Sequence, residues 1–113
     1  MGKTQAIGQR AEQDALTLLT GRGLKLVARN YRCRGGEIDL VMRDGESIVF
    51  VEVRYRRSRD FGGALSSVDP RKRQRLTRAA QHYLATSGWR GPCRFDVIGF
   101  DGGSDDVWIR DAF

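Results

Sequence analysis

The sequence predicts a single α/β domain with the element order α-β-β-β-α-β-β, in which helices flank a mixed sheet. Two longer segments carry apolar side chains at helical spacing, and five shorter segments are rich in β-branched or aromatic residues. Asp44-Gly45 separates two of these shorter segments, as in a β-hairpin. The chain has 113 residues, enough for one hydrophobic core, so one domain is expected over residues 1–113.

The first helix is predicted over residues 6–20, because Gly21-Arg22-Gly23 would end it. Its apolar face comprises Ile7, Ala11, Ala15, Leu16, Leu18 and Leu19. Glu12 falls inside this face, and an acid on a buried helix face usually needs a partner. Two interpretations are open: an edge glutamate paired with a nearby arginine, or a third carboxylate above the hairpin that follows.

The remaining elements follow from turn and capping residues. A strand is predicted over 24–28, a turn over 30–36 and the hairpin over 36–54. Residues 56–68, which include Gly62-Gly63, are predicted to form a mobile loop. Asp69-Pro70 supplies an N-cap followed by proline at the first helical position, so a helix is expected to about residue 86, before Gly88. Strands over 94–100 and 107–110, joined at Gly102-Gly103, complete the order.

Composition favours a polyanionic partner. Lysine and arginine number 20 against 14 acidic residues, which gives a formal net charge of +6 and makes nucleic acid the default partner. The N-terminus has no apolar signal core and no segment is long enough to cross a bilayer, so a cytoplasmic protein with no membrane partner is expected. Cys33 and Cys93 are far apart, and with one histidine they predict free thiols rather than a zinc site.

The hairpin is predicted to carry a cluster of acids. Because strand side chains alternate, Glu37 should share a face with Asp39, and Glu52 with Arg54. An even-length turn brings Asp39 and Glu52 to the same side. Two carboxylates within apolar strands repel each other and lose hydration, a cost that a hard divalent cation would offset. The alternative is a solvated strand face on which Asp39 pairs with Arg54.

The second helix is predicted to have an apolar face and a basic face. The apolar face comprises Leu76, Ala79, Ala80, Tyr83 and Leu84, extended by Lys72 and Arg73, and the solvated face comprises Arg71, Arg75, Arg78 and His82. His82 is therefore expected to be a surface residue. Nucleic-acid contacts are predicted from the cations after the acidic strand and at the helix start, namely Arg56, Arg57, Arg59, Lys72, Arg73 and Arg75. A solvated surface accounts for Arg71 and Arg78.

Together these features resemble the YraN-type family of small bacterial proteins, which has the restriction-endonuclease-like PD-(D/E)xK nuclease fold and is related to archaeal Holliday-junction resolvases. The matching pieces span nearly the whole chain in order: Gly8 with Ala11-Glu12, Arg29-Asn30-Tyr31-Arg32, Gly36-Glu37-Ile38-Asp39-Leu40-Val41, Val49-Phe50-Val51-Glu52-Val53, Lys72, and Arg94-Phe95-Asp96-Val97. The two hairpin pieces at this separation are the most specific part of the match.

The resemblance implies a Mg²⁺-dependent or Mn²⁺-dependent nuclease that acts on DNA, including branched or single-stranded forms. It implies that Asp39, Glu52 and the Val53 carbonyl bind the metal, that Glu12 is an auxiliary catalytic acid, and that Glu37 has a supporting role. A metal in such a site lowers the pKa of bound water and polarises the scissile phosphate. A homodimer is implied only by analogy with the resolvases.

Two positions depart from the family pattern. Ile38 replaces the proline before the motif aspartate, as is usual in this branch. Arg54 stands where the catalytic lysine is expected, and arginine does not lose its proton in proteins. Either Arg54 stabilises transition-state charge, or Lys72 replaces the missing lysine. The alternative function is a nucleic-acid-binding module of nuclease descent with an inactive centre. A third possible function is an adaptor that binds an acidic protein surface. The clustered acids argue against it, because an adaptor does not need them.

Overall fold

The helices and strands follow the predicted order. The computed structural model describes residues 3–55, 67–100 and 106–113. In these residues the elements are α1 (Lys3–Gly21), β1 (Lys25–Cys33), β2 (Gly36–Asp44), β3 (Ser47–Tyr55), α2 (Pro70–Ser87), β4 (Cys93–Phe100) and β5 (Val107–Ile109). Most of the predicted 56–68 loop and the predicted Gly102-Gly103 turn lie outside the described residues.

The five strands form one mixed sheet in the order β1-β2-β3-β4-β5. Three neighbouring pairs are antiparallel, whereas β3 and β4 are parallel. A parallel pair needs a crossover connection, and α2 lies within it. The two helices cover opposite faces: Leu40 and Val49 pack in the cluster that contains α1, and Val41 and Phe50 in the cluster that contains α2.

Helix α1 buries the predicted face as far as the structure describes it; the Ile7 side chain lies outside the described part. Ala11, Ala15 and Leu19, spaced four residues apart, are buried, and Leu16 and Leu18 are partly buried against the same cluster. The helix begins at Lys3 rather than at residue 6, because no proline or glycine interrupts residues 3–7.

The predicted turn over residues 30–36 is wrong for most of its length. β1 continues to Cys33, and Tyr31 pairs with Ile38 in β2. Asn30 suggested a turn because asparagine tolerates positive φ, and its φ is indeed 51°, but it lies within the strand. Only residues 34 and 35 connect the strands, with Gly35 at φ 82°.

The caps of α2 confirm the prediction. The Asp69 side chain accepts a hydrogen bond of 2.9 Å from the Lys72 backbone N–H, and Pro70 occupies the first turn. Gly88 ends the helix at φ 71° and donates its N–H to the Leu84 carbonyl.

A fully buried acid ties the last two strands together. Asp96 accepts hydrogen bonds from Arg94 Nε at 3.0 Å, Trp108 Nε1 at 2.9 Å and the Asp111 backbone N–H at 3.0 Å. Arg94 also reaches Asp44 at 2.9 Å. Because its donors include a guanidinium, the buried Asp96 charge is compensated, and its role is to hold β5 on β4.

Helix α2 packs directly on the start of β2. A Cβ atom at Gly36 would lie 2.4 Å from the Arg75 carbonyl oxygen and 2.9 Å from the Ala79 nitrogen. Both are backbone atoms, so the helix would have to move. Glycine at this position therefore sets the height of α2 above the sheet and the placement of its first two turns.

We expect Gly36→Ala to destabilise the protein by about 1–3 kcal/mol, the usual range for overpacking. The midpoint of urea unfolding measures the change. Gly8→Ala is the matched control, because nothing lies within 4 Å of a Cβ at this helical glycine, and it should be neutral or stabilising by up to about 1 kcal/mol. Equal unfolding midpoints for Gly36→Ala and wild type would contradict the packing argument.

Candidate metal and nucleic-acid site

Asp39 lies at the point where β2 and β3 stop pairing. The last residues paired towards this end of the hairpin are Leu40 and Val51, so Asp39 and Glu52 come next. There the Asp39 carboxylate accepts a 2.8 Å hydrogen bond from the Val53 backbone N–H. An aspartate side chain thus takes the place of a strand-to-strand backbone bond, which holds its carboxylate between the two strands.

The regular alternation of β2 breaks at the same place. Ile38 packs in the cluster that contains α2, whereas Leu40, two residues away, packs in the cluster that contains α1. Arg29 pairs with Leu40 and Tyr31 pairs with Ile38, so Asn30 of β1 lies across from Asp39. Asn30 has the left-handed φ noted above. The irregularity explains how one side chain reaches the gap between strands.

Glu52 is buried beside Asp39, with 4% of its surface exposed. Burial, followed by a hydrogen bond to Asp39 and the charge of Asp39, raises the pKa of Glu52 from its ordinary value of 4.5 to about 9. The positive charges of Lys72 and Arg54 oppose this rise. Near neutral pH, Glu52 therefore keeps its proton and donates it in a hydrogen bond to the Asp39 carboxylate.

Two cations approach this pair from different elements. Lys72, in the first turn of α2, places its Nζ 4.0 Å from Glu52 Oε2. Arg54, two residues after Glu52 in β3, donates a 2.9 Å hydrogen bond from Nε to Ser67 Oγ. Of these two, Lys72 holds its ammonium group close to the buried Glu52 carboxyl.

Glu12 reaches the neighbourhood from α1. Burial and then the charge of Asp39 raise the pKa of Glu12, while a hydrogen bond from Asn30 and the charges of Arg29 and Arg32 lower it. Glu12 is thus close enough to Asp39 to respond to its charge. Asn30 is a site residue that the sequence analysis missed: its position within a basic run, together with its tolerance of positive φ, was the available clue.

Glu37 has different contacts from Asp39. Its carboxylate lies 3.6 Å from Arg32 Nε and 3.9 Å from Arg75 Nη2, and its side chain is 43% exposed. Within the described residues, Glu37 makes no ion pair with Lys72 or Arg54. Glu37 therefore pairs with arginines of β1 and α2, whereas Asp39, two residues further along β2, accepts the Val53 N–H.

The other predicted contact residues are distributed unevenly. Arg56, Arg57 and Arg59 lie outside the described residues. Arg73 donates a 3.0 Å hydrogen bond from Nε to the Val68 carbonyl, and its guanidinium lies over the Phe113 ring at 4.9 Å. These contacts anchor Arg73 to the protein itself.

The carboxyl groups at the end of the hairpin are those of Asp39 and Glu52. In the described parts of the chain, no three or more histidine, cysteine or acidic side chains form a metal-binding group. Val53, the third predicted ligand, donates its backbone N–H to Asp39, and metal binding by its carbonyl stays a prediction. Asp39 and Glu52 are the side chains there that could hold a hard cation, and such a cation would leave positions for water or a phosphate.

Cys33 and Cys93 are free thiols. His82 is exposed, as predicted, and its Nδ1 contacts the Tyr31 hydroxyl. No helix among residues 3–55, 67–100 and 106–113 is both long and apolar enough to cross a membrane.

Fold and site define a mixed α/β protein with a carboxyl pair, the buried Glu52 and the half-buried Asp39, at the end of a hairpin. Residues 11–100 match the family described as "Uncharacterised protein family UPF0102". The chain is 55% identical to a UPF0102 protein of Nitrosococcus oceani over 94% of this chain and 90% of the relative. A Nitrosomonas eutropha relative is 50% identical, with 100% and 97% covered. The chain belongs to the UPF0102 family, and the YraN-type resemblance is confirmed at the level of the family.

We expect Glu52→Gln to stabilise the metal-free protein at pH 8 and to have little effect at pH 4. Between pH 4.5 and about 9 the folded protein keeps a proton on Glu52 that the unfolded chain releases, so wild-type stability falls as pH rises. One proton limits the slope to about 1.4 kcal/mol per pH unit, and each kcal/mol changes Tm by roughly 4 °C. Thermal unfolding in EDTA from pH 4 to 8 measures the difference.

Glu46→Gln is the matched control for the loss of one negative charge, because Glu46 is exposed in the hairpin turn. Its Tm should follow wild type across the same range. Parallel curves for Glu52→Gln and wild type would show that Glu52 ionises normally in the folded protein.

Proposed function

We propose that this UPF0102 protein is a Mg²⁺-dependent nuclease that acts on DNA, with the restriction-endonuclease-like fold implied by its sequence. The observation that carries the proposal is the buried Glu52 carboxyl, held against Asp39 and faced by Lys72 at 4.0 Å. Titratable groups whose pKa values are perturbed by burial and by a specific charged partner are concentrated at functional sites.

The fold part of the proposal rests on the order of the strands. β1, β2 and β3 form an antiparallel meander, α2 crosses over, and β4 returns parallel to β3. The acids lie where β2 and β3 separate, with α1 covering one face and α2 the other. This arrangement is compatible with a restriction-endonuclease-like core.

Magnesium fits the oxygen donors at the end of the hairpin, where β2 and β3 stop pairing. Asp39 and Glu52 offer hard carboxylate oxygens, and Mg²⁺ is normally held by one or two carboxylates together with water and substrate phosphate. Two neighbouring carboxyls that share a proton have the negative charge that a divalent cation neutralises. When bound, the ion would supply Lewis-acid activation of water and of the scissile phosphate.

The protein's own side chains have distinct parts in this proposal. Asp39 is fixed by the Val53 N–H, and its carboxylate therefore has a defined orientation. Lys72 holds an ammonium group beside Glu52, where it can donate hydrogen bonds to a water molecule or a phosphate oxygen. Glu12, hydrogen-bonded to Asn30, is the proposed auxiliary acid.

DNA is the proposed partner because of the net charge of +6 and the arginines near the site. Arg56, Arg57 and Arg59 follow the acidic strand in sequence, and Lys72 and Arg75 lie in the first turns of α2. A binding module without catalysis is the second candidate. It is favoured by Arg54, whose hydrogen bond to Ser67 engages it with the protein itself.

We expect Mn²⁺ or Mg²⁺ to bind weakly to the free protein and Asp39→Ala to reduce that affinity at least tenfold. The reason is that Asp39 supplies a carboxylate oxygen that alanine lacks. Calorimetry with Mn²⁺ measures the binding, with thermal unfolding to check that the variant is folded. Glu37→Ala is the matched control, because its ion pairs are with Arg32 and Arg75, and it should keep wild-type affinity. Undiminished binding by both Asp39→Ala and Glu52→Ala would contradict the metal site.

We expect Lys72→Ala to reduce DNA cleavage by roughly 10²–10³, the usual loss when one transition-state contact is removed. Arg54→Lys should raise the rate, because a smaller cation that can lose its proton would then stand beside the acids. Single-turnover cleavage of a four-way junction, with duplex and single-stranded controls, measures both effects.

The Arg54→Ala variant distinguishes the contribution of Arg54 to cleavage from that of Lys72. If it cleaves like wild type while Lys72→Ala is inactive, Lys72 does the work of the missing motif lysine. If wild type and all three variants are inactive on every substrate with Mg²⁺ and with Mn²⁺, the nuclease proposal is wrong and the binding module is favoured.

A further inference from the structure

One side of α2 carries three arginines and a histidine in a straight line. Arg71, Arg75, Arg78 and His82 are spaced four, three and four residues apart, so they lie above one another on one side of the helix. All four are exposed. At 1.5 Å per residue, this basic stripe is about 16 Å long.

Neighbouring elements hold the middle of the basic stripe in place. Arg78 lies across the turn between β1 and β2, where a Cβ atom at Gly35 would be 2.6 Å from its Nη1. Arg75 lies 3.9 Å from Glu37, and Arg32 of β1 contacts the same carboxylate at 3.6 Å. The stripe is therefore a ridge with a defined position, continued by Arg32, rather than a set of independent solvated side chains.

A groove of about 510 Å³ runs beside the basic stripe on α2. It is lined by Pro70, Arg73, Gln74, Thr77, Arg78 and Gln81. These residues offer guanidinium, amide and hydroxyl donors and include no acid. Such donors are the ones that fix protein to phosphate and sugar in nucleic-acid complexes.

We propose that the basic stripe binds the phosphate backbone of duplex nucleic acid and leads it to the N-terminal end of α2, where Lys72 faces the carboxyl pair. The proposal rests on the proposed nuclease function, because the bound polymer is then the substrate. When no phosphate is bound, Arg75 and Arg32 contact the Glu37 carboxylate. A bound phosphate group replaces that carboxylate as their partner.

The chemistry of the ridge favours duplex nucleic acid over other polyanions. Protein interfaces have an apolar core, and the exposed residues of the basic stripe and groove are polar or charged apart from Pro70. Single-strand sites use aromatic platforms, whereas Tyr31, an aromatic residue that contacts the stripe in the described part of the chain, is half-buried and engaged with His82 and Tyr83.

The test is binding of a labelled 20-base-pair DNA duplex in EDTA, measured by fluorescence anisotropy over a series of salt concentrations. Changing Arg71, Arg75 and Arg78 together to glutamine should reduce the slope of log affinity against log salt by about 0.9 for each lost phosphate contact. Affinity near 0.1 M salt should fall on the order of 10²-fold. Glu37→Gln should bind more tightly than wild type, because phosphate no longer competes with its carboxylate.

The matched control changes Arg10, Arg22 and Arg90 to glutamine, which removes the same charge from exposed positions elsewhere. It should lose much less affinity and keep the wild-type salt slope. Equal losses in both triple variants would overturn the proposal, as would tighter binding of a single strand of the same length. Displacement of the duplex by poly-glutamate at equal charge concentration would also overturn it, since the stripe would then fit an acidic protein.

The same proteins separate this proposal from the nuclease proposal. If the stripe variant loses duplex binding in EDTA and wild type does not cleave with Mg²⁺, the basic stripe is supported and the nuclease is wrong. If wild type cleaves and the stripe variant binds and cleaves equally well, the stripe is wrong and the nuclease stands. A wild-type protein that binds no duplex overturns the stripe outright.

Discussion

Burying the Glu52 carboxyl beside Asp39 costs free energy, because a polar group leaves water. The apolar packing of the sheet does not compensate for this cost. The Lys72 ammonium at 4.0 Å offsets part of this cost, so the position of α2 matters to the acid pair. That position depends on Gly36, on which the helix backbone rests. A glycine at the start of β2 thus controls whether a cation from another element can face two acids at the hairpin end.

The two buried acids of this fold differ in their neighbours. Asp96 is surrounded by donors, including the guanidinium of Arg94 and the indole of Trp108, which compensate its charge and make it structural. Burial raises the pKa of Glu52, and its hydrogen-bond partner is another carboxylate, which raises the pKa further. Burial alone does not set the pKa of an acid, because the charge of the partner decides whether the buried charge is compensated.

The sequence was sufficient to predict the elements with local chemistry, such as the hairpin turn at Asp44-Gly45 and the capped start of α2 at Asp69. It also predicted that Asp39 and Glu52 come together, because a two-residue turn fixes the register of the hairpin. It did not predict the length of β1 or the different partners of Glu37 and Asp39. Both involve the irregular backbone at Asn30, which pairs with β2 and whose side chain is hydrogen-bonded to Glu12 of α1.

The connectivity of the chain places the two acids and their cation at different sequence separations. Asp39 and Glu52 belong to one hairpin, whose contacts are local, and hairpins form in about 1–10 μs. Lys72 comes from α2, beyond the hairpin in sequence, so its contact with Glu52 closes a longer loop at a higher entropic cost. A change that loosens α2 on β2 would therefore leave the two acids together and remove the cation beside them.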